Sequence, residues 1–225
     1  MPRVLIEAAV DSLPDATAAI NAGADRLELC AALSTGGLTP PADLYPRVNA
    51  VAPGRWVVFV RLHAAHFHAD DETLAIMERA IGNARDAGAT GAVFGCLTAD
   101  RRLDHAAHAR LIRACGEMTA VLHRAFDLCS DWRTALDQAA DAGFGRILTS
   151  GGVSLRAPAA LDRLAAMADF ARGRLELLPG GGLRHDNAAA AVRAARARAV
   201  HTSGRDPAGR FNPEALLALR RALGG

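Results

Sequence analysis

The chain has 225 residues, 51% of them hydrophobic and 22% charged, and carries a formal net charge of +2. That balance suits one sizeable hydrophobic core, and the lack of a dense basic tract interleaved with aromatics argues against a nucleic-acid partner. All 26 cationic side chains are arginine; without a lysine amine, Schiff-base catalysis is excluded, whether of aldolase type or through pyridoxal phosphate.

No stretch approaches the ~20 apolar residues of a membrane span. The opening "MPRVLIEAAV" enters a strand-like run without the apolar region and cleavage site of a signal peptide. Cys30, Cys96, Cys115 and Cys129 are scattered and form no C-x-x-C pair. The expectation is a cytoplasmic protein with reduced thiols, no membrane partner and no NAD.

In chain order, strand-like runs fall at 3–8, 26–30, 56–62, 91–97, 119–126, 146–150, 175–179 and 199–203. Helical patterns follow them at about 11–22, 40–51, 71–87, 104–115, 131–142, 158–171, 186–196 and 212–223. Three segments, "NAGADRLELC", "DAGATGAVFGCL" and "DAGFGRILTSGG", share one grammar: a helix end, a Gly for the left-handed position, a short turn, then a strand. Short, mostly apolar strands alternating with helices call for a parallel sheet covered on both faces. Eight such units predict a single-domain (β/α)8 TIM barrel over residues 1–225; an open doubly wound sheet is the alternative.

In such a barrel the chemistry sits at the C-terminal strand ends. Those ends carry Glu7, Glu28 with Cys30, Arg61 with His63, Cys96, "HRAFD" (123–127), Thr149 with Ser150, the glycines 180–182, and His201 with Ser203. The N-terminal ends are plainer, although Arg26, Arg146 and Arg198 sit there. Glu7, Glu28, His123 and Asp127 are candidate acid/base groups or ligands of a divalent ion; the plainer reading has the two glutamates neutralising Arg61 and Arg124. Those arginines, with Ser150, Gly151, Gly180, Gly181, Gly182, Ser203 and Gly204, form a candidate anion site, because glycine turns let backbone N–H groups approach a phosphate closely. Tight turns alone also call for glycine.

Cys30 and Cys96 end alternate strands and are candidate Cu(I) ligands, thiolates being soft; they could equally fill the barrel top as small apolar groups. "HAAHFH" (63–68) puts three imidazoles in one loop but lacks a zinc-protease pattern, and its role stays open.

The segments "IEAAVDS", "AGADRLELCAALSTGGLTP", "VRL", "GAVFGCLTADRRLD", "LHRAFDL", "RILTSGG" and "LLPGGG" follow one another as in the CutC family, the so-called copper homeostasis proteins, which this chain resembles over nearly its whole length. The resemblance implies a cytoplasmic TIM barrel, usually oligomeric, with a homodimer as default, that acts in copper homeostasis by binding Cu(I) through cysteine. It marks Glu7, Glu28, Cys30, Arg61, Gly95, His123, Arg124, Asp127, Ser150, Gly151 and Gly180–Gly182 as shared positions. The chain departs from the family pattern after Arg61, where "LHAAHFH" replaces a glycine-bearing acidic loop, and at Ala9, where a second cysteine often stands. The other class that the residues admit is a barrel enzyme, not of Schiff-base type, acting on a phosphorylated or carboxylated small molecule.

Overall fold

The computed structural model describes residues 3–152 and 156–224. Its strands are β1 (Leu5–Val10), β2 (Arg26–Leu29), β3 (Trp56–Phe59), β4 (Gly91–Phe94), β5 (Thr119–Leu122), β6 (Arg146–Thr149), β7 (Glu176–Pro179) and β8 (Ala199–Thr202). The helices that follow them are α1 (Leu13–Asn21), α2 (Leu44–Val51), α3 (Asp71–Asp86), α4 (His105–Cys115), α5 (Trp132–Ala142), α6 (Leu161–Ala171), α7 (Ala188–Ala195) and α8 (Pro213–Ala222). Pairing is parallel throughout and runs β7-β6-β5-β4-β3-β2-β1-β8. No ladder joins β7 to β8 among the described residues, yet a Cβ added at Gly180 would lie 3.2 Å from Cβ of His201, so the two ends meet. The result is a nearly closed TIM barrel.

Local chemistry explains the units. Ser12, Asp70, Asp104 and Asn212 each cap a helix by accepting the backbone N–H three residues on, each cap contributing about 1 kcal/mol. Pro213 occupies the first turn of α8, where its missing N–H costs nothing. Gly23 and Gly143, at φ +89° and +98°, make the left-handed exits of α1 and α5 that lead into β2 and β6.

Alternation then sorts each strand into two faces. Ile6, Ala8 and Val10 of β1, like Val58 of β3 and Phe94 of β4, pack outward against the helices in the main core. Inward-facing residues form two smaller apolar groups, one around Ala9, Cys30, Val57, Phe59, Val93 and Val121, the other of Leu148, Leu178 and Ala199. Polar side chains fill the space between these groups. The observed β1 lies two residues later than the 3–8 expected, so Glu7 stands in mid-strand and not at the strand's end.

Candidate functional site

Register builds the first cluster. Glu7 lies opposite Arg26 on one side and His201 on the other, all three directed into the lumen. Glu7 Oε2 accepts from Arg26 Nε at 2.5 Å, and Glu7 Oε1 is 2.9 Å from His201 Nδ1. His201 Nε2 lies 3.9 Å from Glu28 Oε2, and the Cys30 thiol donates to that same oxygen at 3.2 Å. One ligand atom from each of Glu7, Glu28 and His201 falls within 4.8 Å of the others. The glutamates thus neutralise Arg26 and His201, whereas Arg61 and Arg124 were the expected partners; Arg124 pairs with Asp127.

Burial and charge divide the protons in this cluster. Burial acts to raise the Glu7 carboxyl, but Arg26 and then His201 hold it down to about 2. Burial raises Glu28, with His201 opposing and the Glu7 charge adding. His201 is raised because the charge of Glu28 and the hydrogen bond to Glu7 outweigh its burial. Burial and the Glu28 charge push the Cys30 thiol well up. The arrangement is an imidazole whose charged form is favoured, set between two carboxyls, with a thiol whose protonated form is favoured beside it.

The second cluster lies past β5 and β6. Asp127 Oδ1 accepts the Thr149 hydroxyl at 2.5 Å; Oδ2 accepts the Ser150 N–H (3.0 Å), the Ser150 hydroxyl (2.8 Å) and Arg124 Nε (3.0 Å). Both carboxylate oxygens are therefore engaged, and Asp127 fixes Arg124, whose Nη2 also donates to Ser150 Oγ at 2.9 Å. The β5 strand ends at Leu122, before a short 3-10 turn over Arg124–Leu128. This break lets His123 and Arg124 both serve the mouth.

His123 is 2% exposed and stacks near Phe59 and Phe67, with centroid separations of 5.3 and 5.1 Å. Its Nδ1 accepts the Ala125 N–H at 3.2 Å. Burial, reinforced by the Arg61 charge, lowers it to about 3, so the ring is neutral at pH 7. A neutral imidazole that accepts at Nδ1 carries its proton on Nε2. That Nε2–H has no partner among the described residues.

A cavity of about 1000 Å³ opens above both clusters. Glu28, Cys30, His123 and Asp127 line it, as do Arg61, Arg124, Gly181, Gly182, Ser203 and Gly204. Glu7 lies beneath it, under His201. Ser150, Gly151 and Gly180 stand behind the lining: a Cβ at Gly151 would meet Ala160 at 2.5 Å, and one at Gly180 would meet Leu148 at 2.7 Å. Cys96 packs on the helix side of β4 and belongs to the outer core, while Cys30 faces the lumen. The two thiols are therefore not brought together. His63, His66 and His68 sit in an exposed loop, the first two with rings 4.8 Å apart.

Sequence reading had not singled out His201 or Arg26 for the site, nor Arg156 and Arg184, which also border the cavity. For His201 a signal was present, since it stands at a strand end; its partner Glu7 is 194 residues away and could be found only by closing the barrel.

The comparisons with known proteins agree with this architecture. Phosphoribosylanthranilate isomerase from Thermotoga maritima superposes with a TM-score of 0.65 over 98% of each chain at 13% identity, a likeness of fold alone. The crystal structure of CutC from Streptococcus agalactiae, a protein named for copper homeostasis, superposes with a TM-score of 0.82, covering 89% of this chain and 98% of that one at 28% identity. The family protein CutC of Rhizobium meliloti strain 1021 is 40% identical over 203 residues, 90% of this chain and 82% of its own. That of Caulobacter vibrioides strain NA1000 is 38% identical over 215 residues, 96% of this chain and 87% of its own. The sequence model of the CutC family matches residues 4–206, and the chain belongs to that family.

Proposed function

We propose that this protein acts in copper homeostasis, holding one Cu(I) at the floor of the barrel mouth between Cys30 Sγ and His201 Nε2. One observation carries the reading: the thiol and the imidazole nitrogen converge on the same oxygen of Glu28, at 3.2 and 3.9 Å. Thiolate and imidazole are donors that suit copper. Glu7 engages Nδ1 of the same ring and leaves Nε2 toward the lumen, the carboxylate–histidine arrangement that orients a metal-ligating imidazole. Glu28 Oε1 is buried and has no partner among the described residues, so this carboxyl is free to receive one of the two protons that Cu(I) would displace, from the Cys30 thiol and from His201 Nε2; the other leaves to solvent through the open mouth.

Cys96 takes no part, being turned to the helix layer. A divalent ion would use one nitrogen of His201 with oxygens of Glu28 and Glu7, whose clustering within 4.8 Å favours a second, harder metal preference. The working setting is the cytoplasm and the working form a homodimer. The first is in keeping with free thiols at all four cysteines and with the absence, among described residues, of any helix long and apolar enough to cross a membrane; the second follows the commonest symmetry of oligomers.

The test is an anaerobic Cu(I) titration of untagged protein against a competing chelator. Wild type takes one ion per chain. Cys30→Ser and His201→Gln lose it, and Cys96→Ser keeps it. Retention of copper by both Cys30→Ser and His201→Gln would overturn the assignment, and zinc or manganese bound in place of copper would move it to the carboxylates.

A further inference from the structure

The cavity is far larger than a metal ion requires, and its upper wall is built from groups the metal does not use. Among the described residues, Arg61 and His123 border it and each carries a buried side-chain nitrogen, Nε and Nε2, without a partner. Buried polar groups are ordinarily hydrogen-bonded, so two such nitrogens beside one cavity point to a ligand seated there.

Charge narrows the ligand's class. Arg61, Arg124, Arg156 and Arg184 all border the cavity. Arg124 is spoken for by Asp127, but Arg61, Arg156 and Arg184 pair with no carboxylate among the described residues. Arg61 instead lies over the Phe67 ring, 4.3 Å from its centroid, and donates to the Ala64 carbonyl at 2.6 Å. Two of these guanidiniums meet at one turn. A Cβ at Gly181 would lie 3.6 Å from Arg124 Nη1, and one at Gly182 would lie 3.3 Å from Arg156 Nη1. Both glycines have φ above +80°, a backbone that side-chain-bearing residues avoid and that brings main-chain N–H groups close to an anion.

His123 supplies a different recognition element. The Ala125 N–H fixes its tautomer, Phe59 and Phe67 hold the ring, and Gly95 makes room for it, since a Cβ there would fall 2.8 Å from the imidazole. Its Nε2–H is thus a preorganised neutral donor, suited to an uncharged oxygen acceptor.

We propose that the barrel mouth binds a small phosphorylated carbonyl compound, its phosphate against Arg124, Arg156 and the Gly181–Gly182 turn, and its carbonyl oxygen on Nε2–H of His123. The site is separate from the copper ligands and is loaded in chelator-treated protein. It is tested by calorimetry on such protein with three probes: dihydroxyacetone phosphate, inorganic phosphate and pyruvate. Wild type binds dihydroxyacetone phosphate about tenfold more tightly than inorganic phosphate, and pyruvate more weakly than either. His123→Asn keeps the oxygen that accepts the Ala125 N–H and loses the reach into the lumen. In that variant dihydroxyacetone phosphate falls to the level of inorganic phosphate, whose own binding is unchanged. Arg156→Ala, at an exposed position where folding is not at stake, weakens both phosphates about tenfold. No binding of either phosphate by wild type at about 10 mM, pyruvate bound as tightly as dihydroxyacetone phosphate, or affinities untouched by Arg156→Ala would each overturn the proposal. A His123→Asn chain that fails to fold leaves the wild-type comparison and Arg156→Ala to decide.

Discussion

His123 and His201 border the same cavity from β5 and β8, three strands apart, and differ in the sign of what their surroundings do to them. His123 sits among Phe59, Phe67 and the Arg61 charge, and is lowered to about 3. His201 sits between Glu28 and Glu7 and is raised. His123 is buried and His201 half-buried, so depth alone does not set the opposite signs; the neighbours do. One half of the mouth is thereby a neutral donor beside arginines, the other an imidazole whose charged form two carboxyls favour. The proposed oxyanion compound and metal ion divide between these halves.

The most damaging change on the His201 side is Glu7→Ala. It strips a buried partner from Arg26 and His201 together, and removing one side of a buried ion cluster costs about 3–5 kcal/mol. Urea unfolding measures that loss; a cost below about 1 kcal/mol would mean that solvent already shares the cluster.

Acid comes next, through histidines kept neutral. His108, buried against Phe94 and Phe144 and accepting the Cys96 N–H at 2.9 Å, is lowered by burial from the ordinary 6.5 to about 4. Below pH 6.5 the unfolded chain takes up a proton that the folded chain refuses, so stability falls as pH drops from 6.5 to about 4 and then levels, by about 3 kcal/mol for this residue. His123 acts in the same direction down to about 3. His201 acts oppositely: its contribution is complete below 6.5 and is lost as pH rises through its raised folded value. Glu7 adds a loss from 4.5 down to about 2. Urea midpoints measured from pH 8 to 4 check this, and His108→Gln flattens the slope between 6.5 and 4.

A milder change sharpens the His123 side alone. Gly95→Ala drives a methyl to 2.8 Å from the imidazole, and overpacking of this kind costs about 1–3 kcal/mol. It displaces the ring, and the His123 resonances shift in NMR spectra while those of His201 hold. Smallest is Cys96→Ala, which removes one buried sulfur from the outer core for about 1 kcal/mol and leaves copper binding unaltered, whereas Cys30→Ser abolishes it.

The barrel was legible in the chain because its signals are local: short apolar strands alternate with helices eight times, several helices start at a capping residue, and three helix ends share a left-handed glycine that leads into a strand. The hydrogen-bonded cluster of Arg124, Asp127 and Ser150 was also within reach of the sequence, since these residues stand at adjacent strand tops. What escaped is what depends on side-chain parity and closure. A two-residue error in the bounds of β1 put Glu7 at the rim and hid its place in mid-strand beside Arg26. Arg26, read as an N-terminal residue on the plain end, points inward because β2 alternates Arg26, Glu28 and Cys30 on one face. Cys96 faces outward for the same reason: Val93 points in, so Gly95 does too, and the next residue turns to the helices. His201 meets Glu7 only when the last strand pairs with the first.

Copper K-edge X-ray absorption of the anaerobically loaded protein decides whether one sulfur and one imidazole hold copper at the floor of the mouth. Ligation by Cys30 and His201 gives one sulfur and one nitrogen scatterer, with the outer-shell signature of an imidazole ring that disappears in His201→Gln. A shell of two or more sulfurs, or one with no sulfur at all, rules that ligation out.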